Sequence, residues 1–291
     1  MGTSLWRGSG LFLSFFIVLS FSCQREAGKR DSDVTKEHDY ENVTRTTTVS
    51  WKDLQAIKID SLLDDFLLYY TANDSFQHVR TRFPLPCVDK EGKLSHIEVK
   101  DWQRVRFLTM EKMYSLLLNS QDDMDLASST NLREGVFEWI YPQKDEVVQY
   151  FFQRTQRGAW YLDSLAINHI ADNPNAGFWE FYRKFATDVR YQAKHVRPNI
   201  LLLTNSMEDG DGYTTEVFSV GLEQWLAWQI ELPVDTLTHI VYGKYDELQI
   251  KNSIQKILCY KSVDESMFRA LYFRKDKRGE WQLYQYEDSQ F

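Results

Sequence analysis

The sequence predicts an α+β protein of two tandem units, each an N-terminal helix followed by an antiparallel meander. Three observations predict it. The chain repeats itself, each repeat opens with aromatic residues at helical spacing, and each closes on a strand, a glycine turn and a second strand. Alternating βαβ runs are not evident, which favours α+β over α/β.

The first element is a targeting segment. Residues 11–22, LFLSFFIVLSFS, are uncharged and mostly apolar, and they follow Arg7. A membrane-spanning helix needs about 20 apolar residues. The shorter run reads as the core of a signal peptide over residues 1–22. Cys23 follows directly after Ser22, and we expect it to be the mature N-terminus and the site of lipid attachment. Leu19 stands one place too early for the usual lipoprotein pattern and Phe21 is bulky, so ordinary cleavage and an uncleaved anchor are the alternatives. Residues 24–48 contain no Leu, Ile, Phe or Trp. Such a stretch cannot bury enough apolar area to offset its ordering entropy, and residues 23–50 are expected to form a flexible tether.

The duplication defines the rest. An offset of 121 residues carries Phe152, Arg157, Gly158, Trp160 and Leu162 onto Phe273, Arg278, Gly279, Trp281 and Leu283. Each set reads as a hairpin whose Arg-Gly turn supplies a residue of positive φ. The same offset aligns Phe137 and Trp139 with Leu258 and Tyr260, another strand. An offset of 115 carries Phe66, Tyr70, Phe76, Gln77 and Arg82 onto Phe181, Phe185, Tyr191, Gln192 and Arg197, at the spacing of an amphipathic helix. Trp102 and Trp225 follow extended runs in the middle of each repeat. The units are therefore residues 51–170 and 178–291, joined by the turn-rich residues 171–177. Seven residues reach at most about 25 Å, so the units are expected to touch, and a groove between them is the favoured place for a ligand.

Composition narrows the function. The 291 residues are 43% hydrophobic and 26% charged, enough for a packed core. A net charge of −8 argues against a nucleic-acid partner, which needs a basic footprint. Cys87 and Cys259 lie in different repeats and are expected to be separate thiols rather than a disulfide. Asp74 precedes His78 by four residues and Asp235 precedes His239 likewise, but neither pair has a third ligand at zinc-like spacing. His96, Glu98 and Asp101 read as a solvated strand face, and His195 as a helix residue near Gln192. Residues 208–212 are too acidic for a phosphate loop and read as a hairpin tip. Glu138, Asp163 and Glu287 could serve as a buried general base in a cone, yet each also fits the outward-facing member of an alternating strand, the reading we favour. No catalytic residue, metal ligand or cofactor is assigned.

A signal segment with Cys, an acidic helix, Asp74-Ser-Phe-Gln-His-Val-Arg80 leading into Arg82-Phe-Pro-Leu85, and the Arg-Gly-x-Trp-x-Leu endings together resemble a Bacteroidetes lipoprotein family known as domain of unknown function 4348. The resemblance covers about residues 55–291 and implies tandem nuclear-transport-factor-2-like, or cystatin-like, cones. The second unit departs from the pattern at Tyr191-Gln192-Ala-Lys-His195, and Pro198-Asn replaces Phe-Pro-Leu. The family has no assigned activity, so the resemblance implies a fold and a compartment. The expectation is a lipid-anchored protein of the cell envelope, held to the outer membrane through its N-terminus. It would be non-catalytic and bind an unidentified protein or small-molecule partner. An enzyme of hydrolase or isomerase type using one cone, and a structural component with filled cones, are the alternatives.

Overall fold

The structure, a computed structural model, describes residues 58–107, 113–208, 212–245, 247–262 and 267–290, all within one compact unit, residues 48–291. The signal segment, Cys23 and the tether lie outside the described residues.

The first half runs α1 (Leu63–Ala72), α2 (Asp74–Arg80), β1 (Leu85–Val88), β2 (Leu94–Ile97), β3 (Met113–Leu118), β4 (Glu134–Tyr141), β5 (Glu146–Arg154) and β6 (Trp160–Asn168). The second runs α3 (Ala176–Thr187), α4 (Val189–His195), β7 (Val196–Glu208), β8 (Gly212–Gly221), α5 (Leu222–Trp228), β9 (Leu237–Tyr242), α6 (Glu247–Asn252), β10 (Gln255–Ser262), β11 (Met267–Lys275) and β12 (Trp281–Gln290). Each helix pair breaks at a residue that caps its second member. The Asn73 side chain accepts from the Phe76 amide, and Asp188 accepts from the Arg190 and Tyr191 amides.

The repeat read from the sequence is a repeat in space. Trp160 and Trp281 are the first residues of β6 and β12, and both are buried. Gly158 at φ +90° and Gly279 at φ +82° occupy the turns before them. A bulge between Phe151 and Phe152 in one sheet recurs between Tyr272 and Phe273 in the other. Bulges bend and twist a strand, which is how each sheet curls over its helices. Each sheet also contains one parallel pair, β1 with β6 and β7 with β12, inside an otherwise antiparallel order.

Neither sheet is built from one half alone. One has the order β2-β1-β6-β5-β4-β9 and the other β8-β7-β12-β11-β10-β3. The third strand of each half completes the sheet of the other. β9 pairs with β4 from Gly135↔Tyr242 to Ile140↔Leu237, and β3 pairs with β10 from Leu118↔Ile257 to Met113↔Ser262. The linker is structured as well, because Asn173 and Asn175 within residues 171–177 are buried.

Aromatic side chains pack the centre of both cones. Phe66, Tyr70, Phe137, Phe152 and Trp160 pack in the first; Phe178, Phe181, Phe185, Phe273 and Trp281 pack in the second. The two faces of β4 serve different cores, Phe137 joining the first and Ile140 the second. On β10, Cys259 joins the first core and Leu258 and Tyr260 the second. These strands therefore present one face to each core.

Candidate functional site at the seam

The exchanged strands meet at Ser115 and Thr238. Each hydroxyl accepts the other residue's amide at 2.7 Å and donates to the other's carbonyl at 2.8 Å. The reciprocity marks the pseudo-two-fold relation between the halves. Cavities open along both ends of this crossing, each lined by both halves.

At the end where β3 and β9 begin, a cavity of about 310 Å³ is walled by Phe107, Tyr114, Trp139, Tyr141, Leu237 and Tyr260. Arg106 is exposed and also lines it, together with Ser115 and Thr238. A neighbouring cavity of about 430 Å³ shares Met113, Pro233, Thr236 and Tyr260 with it, so the two run together along the seam.

At the end where the strands finish, a cavity of about 150 Å³ is lined by Asn119, Asp123, Asn175, His239 and Lys244, with Leu117, Leu126, Ile240 and Ile250 among its apolar walls. Behind it lies a buried polar network. Glu138 and His239 are direct partners across β4 and β9, and the His239 Nδ1 lies 2.6 Å from Glu138 Oε2. Glu138 Oε1 also accepts from Gln149 at 2.7 Å, Tyr245 at 2.7 Å and Asn173 at 3.1 Å. Burial pushes the Glu138 carboxyl up, but His239 and the other donors outweigh it and hold the group below its ordinary value. Facing an ionised, acceptor-only carboxylate, Nδ1 carries the proton, and Nε2 has no hydrogen-bond partner among the described residues.

The network continues through the linker to Lys256. The Asn175 amide donates to Asn173 Oδ1 at 2.8 Å, and Lys256 Nζ donates to Asn175 Oδ1 at 2.6 Å and Asn119 Oδ1 at 2.5 Å. Lys256 is 2% exposed and has no carboxylate in contact among the described residues. Burial, reinforced by the charge of Lys275, lowers its ammonium to about 7.

The duplication supplies an internal control. The offset of 121 carries Glu138 onto Cys259, and Cys259 pairs in register with Leu116 just as Glu138 pairs with His239. Both Cys259 and Leu116 are buried. The same offset carries Lys256 onto Gly135, whose Cα faces Leu63 so closely that a Cβ would lie 2.4 Å from Leu63 Cδ2. The fold therefore accommodates apolar or absent side chains at these places, and Glu138 from the first half and His239 and Lys256 from the second have no ionisable pair at the equivalent positions.

The sequence-based candidates divide accordingly. Glu138, read as outward-facing, is fully buried, because β4 is covered on both faces. His239 pairs with Glu138 rather than with Asp235 four residues before it. Asp163 pairs with Arg82 at the surface, and Glu287 accepts from the Tyr272 hydroxyl at 2.7 Å. His78 and His195 each bond the carbonyl four residues back, at 3.0 and 2.8 Å, and join no cluster. Cys87 and Cys259 are free thiols. Among the described residues no group of three or more His, Cys, Asp or Glu could hold a metal ion. Sequence reasoning missed Lys256, Asn119, Asn173 and Asn175. The usable signal was a lysine in a strand whose repeat equivalent is Gly135.

Comparison with known proteins agrees with this architecture. The family model described as a domain of unknown function, DUF4348, matches residues 46–288. The crystal structure of an NTF2-like protein from Bacteroides fragilis is similar at 32% identity and a TM-score of 0.69, over 80% of this chain and 98% of that one. A putative ketosteroid isomerase from Parabacteroides distasonis matches at 13% identity and a TM-score of 0.23, over 42% of this chain and 91% of that one. No curated protein matches.

Proposed function

The chain belongs to the DUF4348 family, and from that premise we propose that it is a non-catalytic binding protein, lipid-anchored in the cell envelope, that takes a small aromatic-ring ligand at the seam between its halves. One observation carries the reading: aromatic side chains pack the centre of each cone, while an aromatic-walled space lined by both halves lies between them. At about 310 Å³ the cavity is at the low end of the roughly 300–1,000 Å³ used for small ligands. Its walls of Phe107, Trp139, Tyr141 and Tyr260 suit a flat apolar ring, and Arg106 at the edge suits an acidic substituent on it. The packed cone centres weigh against an enzyme that works inside one of them.

Anilinonaphthalene sulfonate, an aromatic sulfonate, is the probe. One molecule should bind with a rise in fluorescence, and Trp139→Ala should weaken it by about tenfold, near 1.4 kcal/mol. Binding that is unsaturable or unchanged in the variant would overturn the site. The anchor is tested separately. The short apolar segment before Cys23 supports lipidation, so Cys23→Ala should move the protein out of the membrane fraction or leave the precursor uncut. An unchanged mature mass and location would overturn it.

A further inference from the structure

The small cavity at the other end of the crossing has a different chemistry from the aromatic one. In its ammonium form Lys256 is a donor only, so the two side-chain atoms that it meets on Asn119 and Asn175 are then the oxygens. That fixes the rotation of both amides. Their Nδ2 groups are the ends that have no hydrogen-bond partner among the described residues, and both residues line the cavity. A buried cation behind two amide oxygens also polarises the amides outward, strengthening their N–H groups as donors. Lys244 adds an ammonium to the same wall, and the His239 ring lies beside it, fixed by Glu138. Asp123 lines the cavity too, but its Oδ2 already accepts the Asn119 and Ser120 amides at 2.8 and 3.1 Å. Leu117, Leu126, Ile240 and Ile250 supply apolar wall to the same cavity. A space of about 150 Å³ holds a molecule the size of benzene.

We propose that this cavity is a second binding site, for a small aliphatic carboxylate of about six non-hydrogen atoms. Its oxygens are held by the amide nitrogens of Asn119 and Asn175, and its chain lies on the leucine and isoleucine wall. Lys256 does not touch the ligand. It is a positioning residue that turns both amides donor-outward. The site is independent of the aromatic end, since it shares no lining residue with it.

Butanoate is the probe, with 1-butanol as the neutral control and titration calorimetry as the readout. Butanoate should bind and butanol should not. Asn119→Asp is the decisive variant. It keeps the size and the oxygen that Lys256 needs, and gains a charge pair with it, so the fold is retained; but it replaces the outward donor with an acceptor. Butanoate affinity should fall by at least about tenfold. Anilinonaphthalene sulfonate binding should stay unchanged, which separates this site from the aromatic one. Lys256→Met should weaken butanoate similarly if it folds. Equal binding of butanol, no butanoate binding to the unmodified protein, or full butanoate affinity in Asn119→Asp would each overturn the proposal.

Discussion

Glu138 and His239 occupy a register position that the second sheet fills with Cys259 and Leu116. Burying an ion pair where an apolar pair fits is rarely a gain in stability, because desolvation offsets the attraction. Removing one partner is worse, since it leaves a charge buried alone. His239→Leu should cost about 3–5 kcal/mol in urea unfolding. The double variant Glu138→Cys with His239→Leu copies the other sheet and should be less damaged than that single one; equal or greater damage would show that the pair itself holds the sheet. Lys256 gives a second residue-level expectation, in pH. Its folded value of about 7 lies below its ordinary 10.5. Between those values the unfolded chain binds the extra proton, so folding stability rises with pH there. From pH 7 to 8.5 the gain should be about 1.6 kcal/mol, the slope rising from about 0.7 toward about 1.4 kcal/mol per unit as the native amine loses its proton, and Lys256→Met should abolish it. Glu138 acts in the acid range. Its folded value is depressed, so its contribution is present above the ordinary carboxylate value and is lost as pH falls through the folded one.

Among the elements, the closing hairpins give the sharpest expectation. Gly158 and Gly279 hold the same positive φ, and neither has a backbone neighbour that a Cβ would strike. Replacement by Ala should therefore cost about 1 kcal/mol at each position, from backbone strain alone, and the two melting shifts should agree. A large difference would mean that the hairpins are not equivalent. These elements were legible in the sequence because the signals are local: a turn glycine, a Trp two residues later, aromatics four apart. The bulges at Phe151 and Tyr272 were not, since nothing in a short window marks an extra residue in a ladder. The candidate site was legible only in part. Glu138 was visible as an acid in an apolar strand, but its partner is 101 residues away and reaches it only because β9 crosses into the first sheet. The linker looked like a hinge because Asn, Pro and Gly are turn residues; in the structure two of those asparagines carry the hydrogen bonds between Glu138 and Lys256.

For the whole molecule, strand exchange changes what the duplication means. Two beads on a seven-residue connection could unfold separately. Here the outer edge of β4 is covered only by β9 and that of β10 only by β3, so opening one half strips an edge strand from the other. An exposed strand edge is unstable and prone to pair with other chains. The buried sides of β4 and β10 also divide between the two cores, so neither core stays packed when the other melts. Unfolding should be a single cooperative transition for residues 58–290, without an intermediate that keeps one half intact. Trp281→Ala tests this from one side. It removes a large buried ring from the second cone and should cost about 3–5 kcal/mol. Amide exchange then reports on the distant strands. If the halves are one cooperative body, the variant should lose protection in β4 and β5 by the same free energy as in β11 and β12. Retained protection in β4 and β5, with loss confined to β11 and β12, would mean that the exchanged strands join two separately stable units.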